Sequence, residues 1–258
     1  MDLNLQGKHA LVCGASAGIG QAAAIELAAL GATVTVLARR AEALDATLKQ
    51  LAAEHGQQHT ALVADLDRPD ELPARLADFK PIHILVNNAG GPPGGAVHNA
   101  TTAEFESGFR RHLLANQTLV QTLLPGMRQA GYGRIINIIS TSVKEPIAGL
   151  GVSNTIRWAV AGWAKTLARE LAPAGITVNN VLPGYTATGR LDSLFAARAA
   201  KTGATATQIA EQTRAGVPMG RFAAPGEIAA AIAFLASPAA AYITGINLPV
   251  DGGRLNSL

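Results

Sequence analysis

One stretch near the amino terminus limits the possible folds of this chain more than any other. An apolar, β-prone run from Ala10 to Cys13 stops at Gly14, and a helical pattern of apolar residues begins at Ile19 and ends before Gly31. Between strand and helix lies the spacing Gly-x-x-x-Gly-x-Gly, and a glycine turn in this context predicts a dinucleotide site. An ordinary turn rich in glycine is the alternative interpretation.

The three glycines of this turn have distinct tasks in such a site. Gly14 permits the tight turn, Gly18 lets the backbone approach a pyrophosphate, and Gly20 lets the helix pack closely against the strand. The helix N-terminus presents free N–H groups to phosphate. The turn therefore predicts both a phosphate site and close packing of helix on strand.

Strand-like runs recur along the rest of the chain, with helical patterns between them. They lie at residues 10–13, 33–38, 60–64, 82–87, 135–139, 177–182 and 246–250. Several are unbroken runs of Val, Ile and Leu, which is typical of strands covered on both faces. No linker or repeat divides the sequence. We predict a single α/β domain over residues 1–258, with a Rossmann-type, doubly wound parallel sheet of about seven strands and helices on both faces.

Composition narrows the range of partners. A chain of 258 residues with 48% hydrophobic residues can bury a sizeable core. Its net charge of +3 is dispersed, with no basic run longer than Arg39-Arg40 and Arg110-Arg111, which does not make a nucleic-acid surface. Cys13 is the only cysteine and ends a buried strand, so we expect an inert thiol, no disulfide and no metal.

The uncharged run from Ile228 to Val250 is long enough to suggest a transmembrane helix. Ser237-Pro238, Gly245 and Asn247 interrupt it, so we predict a helix, a turn and a last strand instead. The first residues contain no apolar segment typical of a signal peptide. We expect a soluble, cytoplasmic protein without a membrane partner.

The ends of the second and third strands favour one nicotinamide cofactor over the other. In this fold an acidic residue after the second strand binds the ribose 2′-hydroxyl, whereas arginine accommodates a 2′-phosphate. Here the strand ends Ala38-Arg39-Arg40, which predicts NADP(H) rather than NAD(H); a solvated charge pair is the alternative. Asp65 follows the third strand and is predicted either to bind the adenine amino group or to cap the turn before Leu66.

Four segments that follow strands make the sequence resemble one family. They are the glycine turn, Asn87-Asn88-Ala89-Gly90, Asn137-Ile138-Ile139-Ser140 and Pro183-Gly184-Tyr185-Thr186-Ala187-Thr188. In this order they resemble the short-chain dehydrogenase/reductase family, and the tail from Pro225 to Gly253 resembles its bacterial ketoacyl-reductase-like members. The resemblance implies a nicotinamide-dependent oxidoreductase that forms a homotetramer.

The resemblance also places the cofactor across the carboxyl ends of the strands. With the preceding arguments it gives the predicted cofactor-binding residues, which are Gly14, Ser16, Ala17, Gly18, Ile19, Gly20, Arg39, Arg40, Asp65, Leu66, Asn88, Ala89, Gly90, Arg157, Pro183, Gly184, Thr186 and Thr188. Residues 188–218 are predicted to form a lid over the substrate, and their apolar side chains suggest a moderately apolar substrate.

The catalytic segment departs from the family pattern of Ser, Tyr and Lys. Ser140 fits the serine, but Ser153 stands where the family carries the tyrosine that protonates the substrate, and Arg157 stands at the lysine position. The three tyrosines, Tyr132, Tyr185 and Tyr242, have no lysine at the family's spacing. Arg157 keeps a cation there and can donate to ribose hydroxyls, but it does not release a proton near neutral pH.

Two other residues are candidates for the missing proton donor. His112 stands where many members carry a catalytic asparagine, with Asn116 one helical turn further along. Lys144 lies in the loop after Ser140, and burial there would lower its pKa. The alternative for His112 is a packed helix residue without a catalytic role. The alternative for Lys144 is a surface lysine paired with Glu145. Tyr185 is a further candidate.

Three functions remain open at this point. The first is an NADP(H)-dependent oxidoreductase that acts on a small carbonyl or enone compound through a non-standard proton donor. The second is a catalytically silent NADP-binding sensor, or a partner subunit in a mixed oligomer with an active homologue. The third is an isomerase or lyase that uses His112 as its base and keeps the cofactor only as a structural element.

Overall fold

The computed structural model describes residues 1–257, and its centre is a sheet of seven parallel strands. The strands are β1 His9–Cys13, β2 Thr33–Ala38, β3 Thr60–Val63, β4 Ile84–Asn87, β5 Gly133–Ile138, β6 Ile176–Pro183 and β7 Asn247–Val250. Their order across the sheet is β3-β2-β1-β4-β5-β6-β7, and every neighbouring pair is parallel. The predicted doubly wound α/β fold is confirmed.

Helices connect the strands and cover the sheet. Within residues 1–257 they are α1 Gly18–Ala29, α2 Ala41–Leu48, α3 Leu72–Leu76, α4 Thr102–Phe109, α5 Ala115–Ala130, α6 Gly151–Leu171, α7 Gly189–Thr202, α8 Ala206–Ala215 and α9 Pro225–Ala236. A π-helical turn, Arg110–Leu114, joins α4 to α5. None of these helices combines the length and the apolar character that spanning a membrane requires.

Two apolar layers, one on each face of the sheet, explain the unbroken apolar strands. In β1, Ala10 and Val12 pack with helices α1 and α9, while Leu11 and Cys13 point to the other face and pack with α3, α5 and α6. Successive side chains of a strand point to opposite faces, so both sets must be apolar. Cys13 is fully buried, and burial raises the pKa of its thiol to about 12.

The predicted strand positions match the structure to within two residues at each end. The largest differences are that β4 begins at Ile84 rather than at Ile82, and that β5 begins at Gly133 rather than at Ile135. Ile82 is buried in the apolar layer that contains α3, α5 and α6, so its apolar character reflects packing and not pairing in the sheet. The uncharged segment 228–250 forms most of α9, a connection that contains the short 3₁₀ helix Pro238–Ala240, and β7, so the predicted helix, turn and strand are confirmed.

Helices α7 and α8 occupy most of the segment predicted to be the lid. They pack together through Leu191, Phe195 and Ile209, which form an apolar cluster of their own. Leu191 and Leu194 reach the cleft described below. Phe195 and Ile209 serve the packing of the two helices, so their apolar character is explained without a substrate.

Candidate active site

A cleft of about 620 Å³ opens at the carboxyl ends of the strands. Strands β1 and β4 lie side by side here, and the connections that leave them run to opposite sides of the sheet. Such a switch in strand order leaves a crevice in which doubly wound proteins bind their ligands. The loops after β1 to β6 and the start of α7 line the cleft.

The glycine turn forms one wall of the cleft and is packed as closely as the sequence predicts. Gly14 and Gly18 have φ angles of 61° and 60°, in the left-handed region that favours glycine. A Cβ atom at Gly20 would lie 2.3 Å from the carbonyl oxygen of Gly14 and 2.7 Å from Nδ2 of Asn88. The side chain of Asn88 also donates to the carbonyl oxygen of Cys13 at 3.3 Å, which ties the ends of β1 and β4 together.

The ends of β2 and β3 line the same part of the cleft. Arg39 and Arg40 are exposed at its edge, and Asp65 and Leu66 line it nearby. Asp65 accepts the backbone N–H of Asp67 at 3.0 Å, so it stabilises a turn as well as lining the cleft. Every residue predicted to bind cofactor lines the cleft except Gly20, which acts through packing.

Three of the predicted catalytic residues meet at the other end of the cleft. Ser140, Ser153 and Arg157 line it there together with Thr141, and we call these four residues the polar end. The buried guanidinium of Arg157 donates from Nη1 to the carbonyl oxygen of Ile138 at 2.9 Å. Burial, and then the charge of Arg190, lower the pKa of Arg157 to about 10, so it stays protonated at neutral pH.

His112 lies behind Arg157 rather than in the main cleft. It belongs to the π-helical turn, a rare geometry that often marks functional positions. Its side chain is buried beside a second cavity of about 10 Å³, which Asn116 and Arg157 also line. Burial, and then the charges of Arg157 and Arg111, hold its pKa well below the ordinary 6.5, so the imidazole is neutral at pH 7.

Lys144 and the three tyrosines are spread over the molecule. Lys144 is half-buried next to the polar end, but it is not among the residues of the described chain that line the cleft. The hydroxyl of Tyr132 donates to the carbonyl oxygen of Ala236 at the opposite edge of the sheet, and Tyr242 is fully exposed. Tyr185 is therefore the one tyrosine that lines the cleft.

Sequence reasoning missed three arginines that line the cleft, which are Arg111, Arg190 and Arg254. Arg111 forms an ion pair with Asp67. Arg190 lies in the first turn of α7 and donates from Nη2 to the carbonyl oxygen of Pro92 at 2.7 Å, across the cleft. Arg254 follows the last strand and donates from Nη1 to the hydroxyl of Thr141 at 2.8 Å. Arg190 follows the predicted cofactor-binding residue Thr188 by two positions in the sequence, which was a weak signal that it lies near the cleft. Nothing local in the sequence indicates that the tail returns Arg254 to the cleft.

Comparison with known proteins gives consistent matches over almost the whole chain. A family model described as enoyl-(acyl carrier protein) reductase matches residues 14–254. A 3-oxoacyl-[acyl-carrier-protein] reductase, FabG, from Vibrio cholerae is 36% identical over 255 residues, which cover 97% of this chain and 98% of the relative.

Solved structures agree with these matches. L-sorbose reductase from Gluconobacter frateurii, solved with NADPH and L-sorbose, superposes with a TM-score of 0.92 at 30% identity over 100% of both chains. A 3-oxoacyl (acyl-carrier-protein) reductase from Agrobacterium tumefaciens, solved with NADP bound, has a TM-score of 0.86 at 28% identity over 97% of this chain and 95% of the other. The chain therefore belongs to the short-chain dehydrogenase/reductase family of NAD(P)-dependent oxidoreductases and is similar to its ketoacyl reductases.

Proposed function

We propose that the protein is an NADP(H)-dependent oxidoreductase that acts on a small carbonyl or enone compound through a proton donor other than the family's tyrosine. The observation that carries this proposal is the continuity of one cleft, which joins the glycine turn and Arg39 to Ser140, Ser153 and Arg157. Relatives named as ketoacyl reductases, and a family model described as an enoyl reductase, support both carbonyl and enone substrates.

The residues at the end of β2 fit the phosphate that distinguishes NADP from NAD. Ala38 offers no carboxylate for a ribose hydroxyl, and Arg39 and Arg40 form no ion pair with any carboxylate of residues 1–257. Both guanidinium groups are thus left to bind the 2′-phosphate. When bound, the nicotinamide supplies or accepts the hydride.

Replacing these two arginines is expected to remove the cofactor preference. A hydrogen bond to a charged group contributes about 1.5–3 kcal/mol, so Arg39→Ala with Arg40→Ala should raise the KM for NADPH by about tenfold to hundredfold or more. The KM for NADH serves as the internal control and should stay constant. Equal rises for both cofactors would show that the arginines do not contact the 2′-phosphate.

The polar end is suited to stabilising negative charge on a substrate oxygen. In ketone reduction, the carbonyl carbon gains the hydride and the oxygen gains a proton. In enone reduction, the β-carbon gains the hydride, the negative charge moves to the enolate oxygen, and the α-carbon then gains the proton. The hydroxyls of Ser140 and Ser153 are donors toward the oxygen, and Arg157 is a fixed, buried cation beside them. Preorganised donors and charges of this kind lower the barrier without transferring a proton themselves.

We assign the proton transfer to Tyr185, because it is the phenol within the cleft. Its ring is fixed edge-on against Phe222, with a centroid separation of 6.1 Å. Tyr185→Phe should lower kcat for a ketone by about a hundredfold, the lower end of what a positioned general acid contributes. Lys144→Ala and His112→Asn are the comparison variants. If either lowers kcat more than Tyr185→Phe does, the proton transfer is assigned to that residue instead. The measurement is steady-state NADPH consumption.

The departure at Ser153 and Arg157 favours a second candidate function, a silent NADP-binding sensor or partner subunit. One experiment separates the two: NADPH consumption with ketones, quinones and enones, in parallel with NADH, and NADPH binding on the same sample. Turnover that prefers NADPH supports the enzyme. Binding without turnover supports the second candidate, and absence of binding contradicts both. The buried position of His112, outside the main cleft, gives no support to an isomerase or lyase that uses it as base.

Resemblance to the family further supports assembly as a homotetramer, or as a mixed oligomer with an active homologue, and a cytoplasmic location. Light scattering of the purified protein tests the homotetramer. Co-purification with a paralogue that carries the tyrosine tests the mixed oligomer.

A further inference from the structure

Three guanidinium groups surround the substrate side of the cleft, and no lining carboxylate balances them. They belong to Arg157, Arg190 and Arg254. Among residues 1–257, the one acidic residue that lines the cleft is Asp65, which follows β3 at the nucleotide end. A concentration of one sign of charge attracts a ligand of the opposite sign.

Two of these groups donate to backbone carbonyl oxygens. Arg157 stands at the family's lysine position and donates to the carbonyl oxygen of Ile138. Arg190 crosses the cleft to Pro92. Both approach one point beside Gly91: a Cβ atom there would lie 3.5 Å from Nη2 of Arg190 and 3.7 Å from Nη2 of Arg157.

Arg254 stands elsewhere, next to the predicted reaction centre. Its Nη1 atom donates to Oγ1 of Thr141 at 2.8 Å, and Thr141 directly follows Ser140. Its guanidinium carbon lies 4.8 Å from the centroid of the Tyr185 ring. A hydroxyl and an aromatic ring therefore fix the position of the charge, while the remaining N–H groups of the guanidinium still have the capacity to donate.

The tail that carries Arg254 is fastened on both sides of it. Before it, Gly252 and Gly253 turn the chain with φ angles of 66° and 82°, and the carboxylate of Asp251 accepts the N–H of Gly253 at 3.1 Å. After it, Glu145 accepts the N–H of Asn256 at 2.7 Å. Glu145 also accepts the N–H of Ser257, and the carboxylate of Asp251 accepts the N–H of Leu255. Both carboxylates therefore bind the backbone of the tail, and neither residue is among those of the described chain that line the cleft.

We propose that Arg254 binds a carboxylate of the substrate and thereby makes small oxo acids the preferred substrate class. The planar guanidinium matches the two oxygens of a carboxylate, and its contact with Thr141 places that carboxylate near Ser140. The inference rests on the proposed function for its reaction, but anion binding at Arg254 is measurable without turnover.

The first test measures binding to the NADP⁺-loaded protein by calorimetry, with butyrate and its neutral analogue butyramide as probes. We expect butyrate to bind at least tenfold more tightly than butyramide. Arg254→Met, which keeps an unbranched apolar stem but removes the guanidinium, should remove the difference, and Arg254→Lys should restore part of it. Equal binding of the two probes, or no binding of butyrate, overturns the proposal.

Arg190→Met is the matched control, because it removes a different cation from the same cleft. It should leave the preference for butyrate over butyramide intact. Loss of the preference in Arg190→Met but not in Arg254→Met would overturn the assignment. So would competition between butyrate and NADPH, because the anion would then occupy the phosphate site of the cofactor.

The second test compares oxo acids with their methyl esters as substrates. For acetoacetate and levulinate, Arg254→Met should raise the KM by about tenfold to hundredfold, and it should leave the KM of the esters unchanged. A wild-type KM equal for acids and esters overturns the proposal. Carboxylate binding at Arg254 without turnover of any compound would retain the site and overturn the proposed oxidoreductase instead.

Discussion

The double substitution Ser153→Tyr with Arg157→Lys is expected to raise kcat for ketone reduction by up to about a hundredfold, because Tyr185 is already assigned the lower part of what a general acid contributes. A positioned general acid contributes about 10²–10⁴ in rate, and this pair restores the residues that the resemblance assigns to proton transfer. Ser153 and Arg157 lie one helical turn apart on α6, and both line the cleft beside Ser140. The new phenol would therefore extend from the position of Ser153 into the polar end, next to the new ammonium group.

The control for this variant carries Ser153→Phe with Arg157→Lys. It has the same ring and the same cation but no hydroxyl, so a gain that depends on proton donation should be absent. Saturating NADPH and a simple ketone give the relevant kcat, because the change concerns the chemical step. A gain in both variants would indicate a packing effect, and no gain in either would show that the rest of the polar end does not hold a ketone.

The substitution Gly20→Ala is expected to weaken NADPH binding by about a hundredfold or more and to destabilise the protein. The added Cβ would lie 2.3 Å from the carbonyl oxygen of Gly14, so α1 must move away from β1. Overpacking of this kind costs about 1–3 kcal/mol in the free energy of unfolding. Displacing the helix also removes N–H donors from the phosphate site, and losing two such bonds weakens binding by about a hundredfold or more. Urea unfolding and NADPH titration measure the two effects.

The matched control is Gly162→Ala, also within a helix. Gly162 is exposed on α6, and a Cβ atom there would have nothing within 4 Å. Alanine should stabilise the protein by about 0.4–1 kcal/mol and leave the Kd for NADPH unchanged. If Gly20→Ala instead bound NADPH normally with wild-type stability, the close packing of the glycine turn would not be required.

The sequence by itself determined the fold and the nucleotide half of the cleft. Both depend on local patterns: apolar runs that alternate with helical periods, and glycines such as Gly14 and Gly18 at positive φ between a strand and a helix. Parallel strands bring their carboxyl ends to one edge, so residues that follow different strands, such as Arg39 and Asn88, were expected to meet there. The absence of a tyrosine at Ser153 was also visible in the sequence alone.

Only the tertiary structure decided the surroundings of the candidate proton donors. His112 and Lys144 were equivalent candidates in the sequence, but burial keeps His112 neutral behind Arg157, and Lys144 lies outside the residues of the described chain that line the cleft. The approach of Arg254 to Thr141 depends on the packing of segments that are more than a hundred residues apart. Such contacts follow from how the helices and the tail pack on the sheet, and no local pattern encodes them.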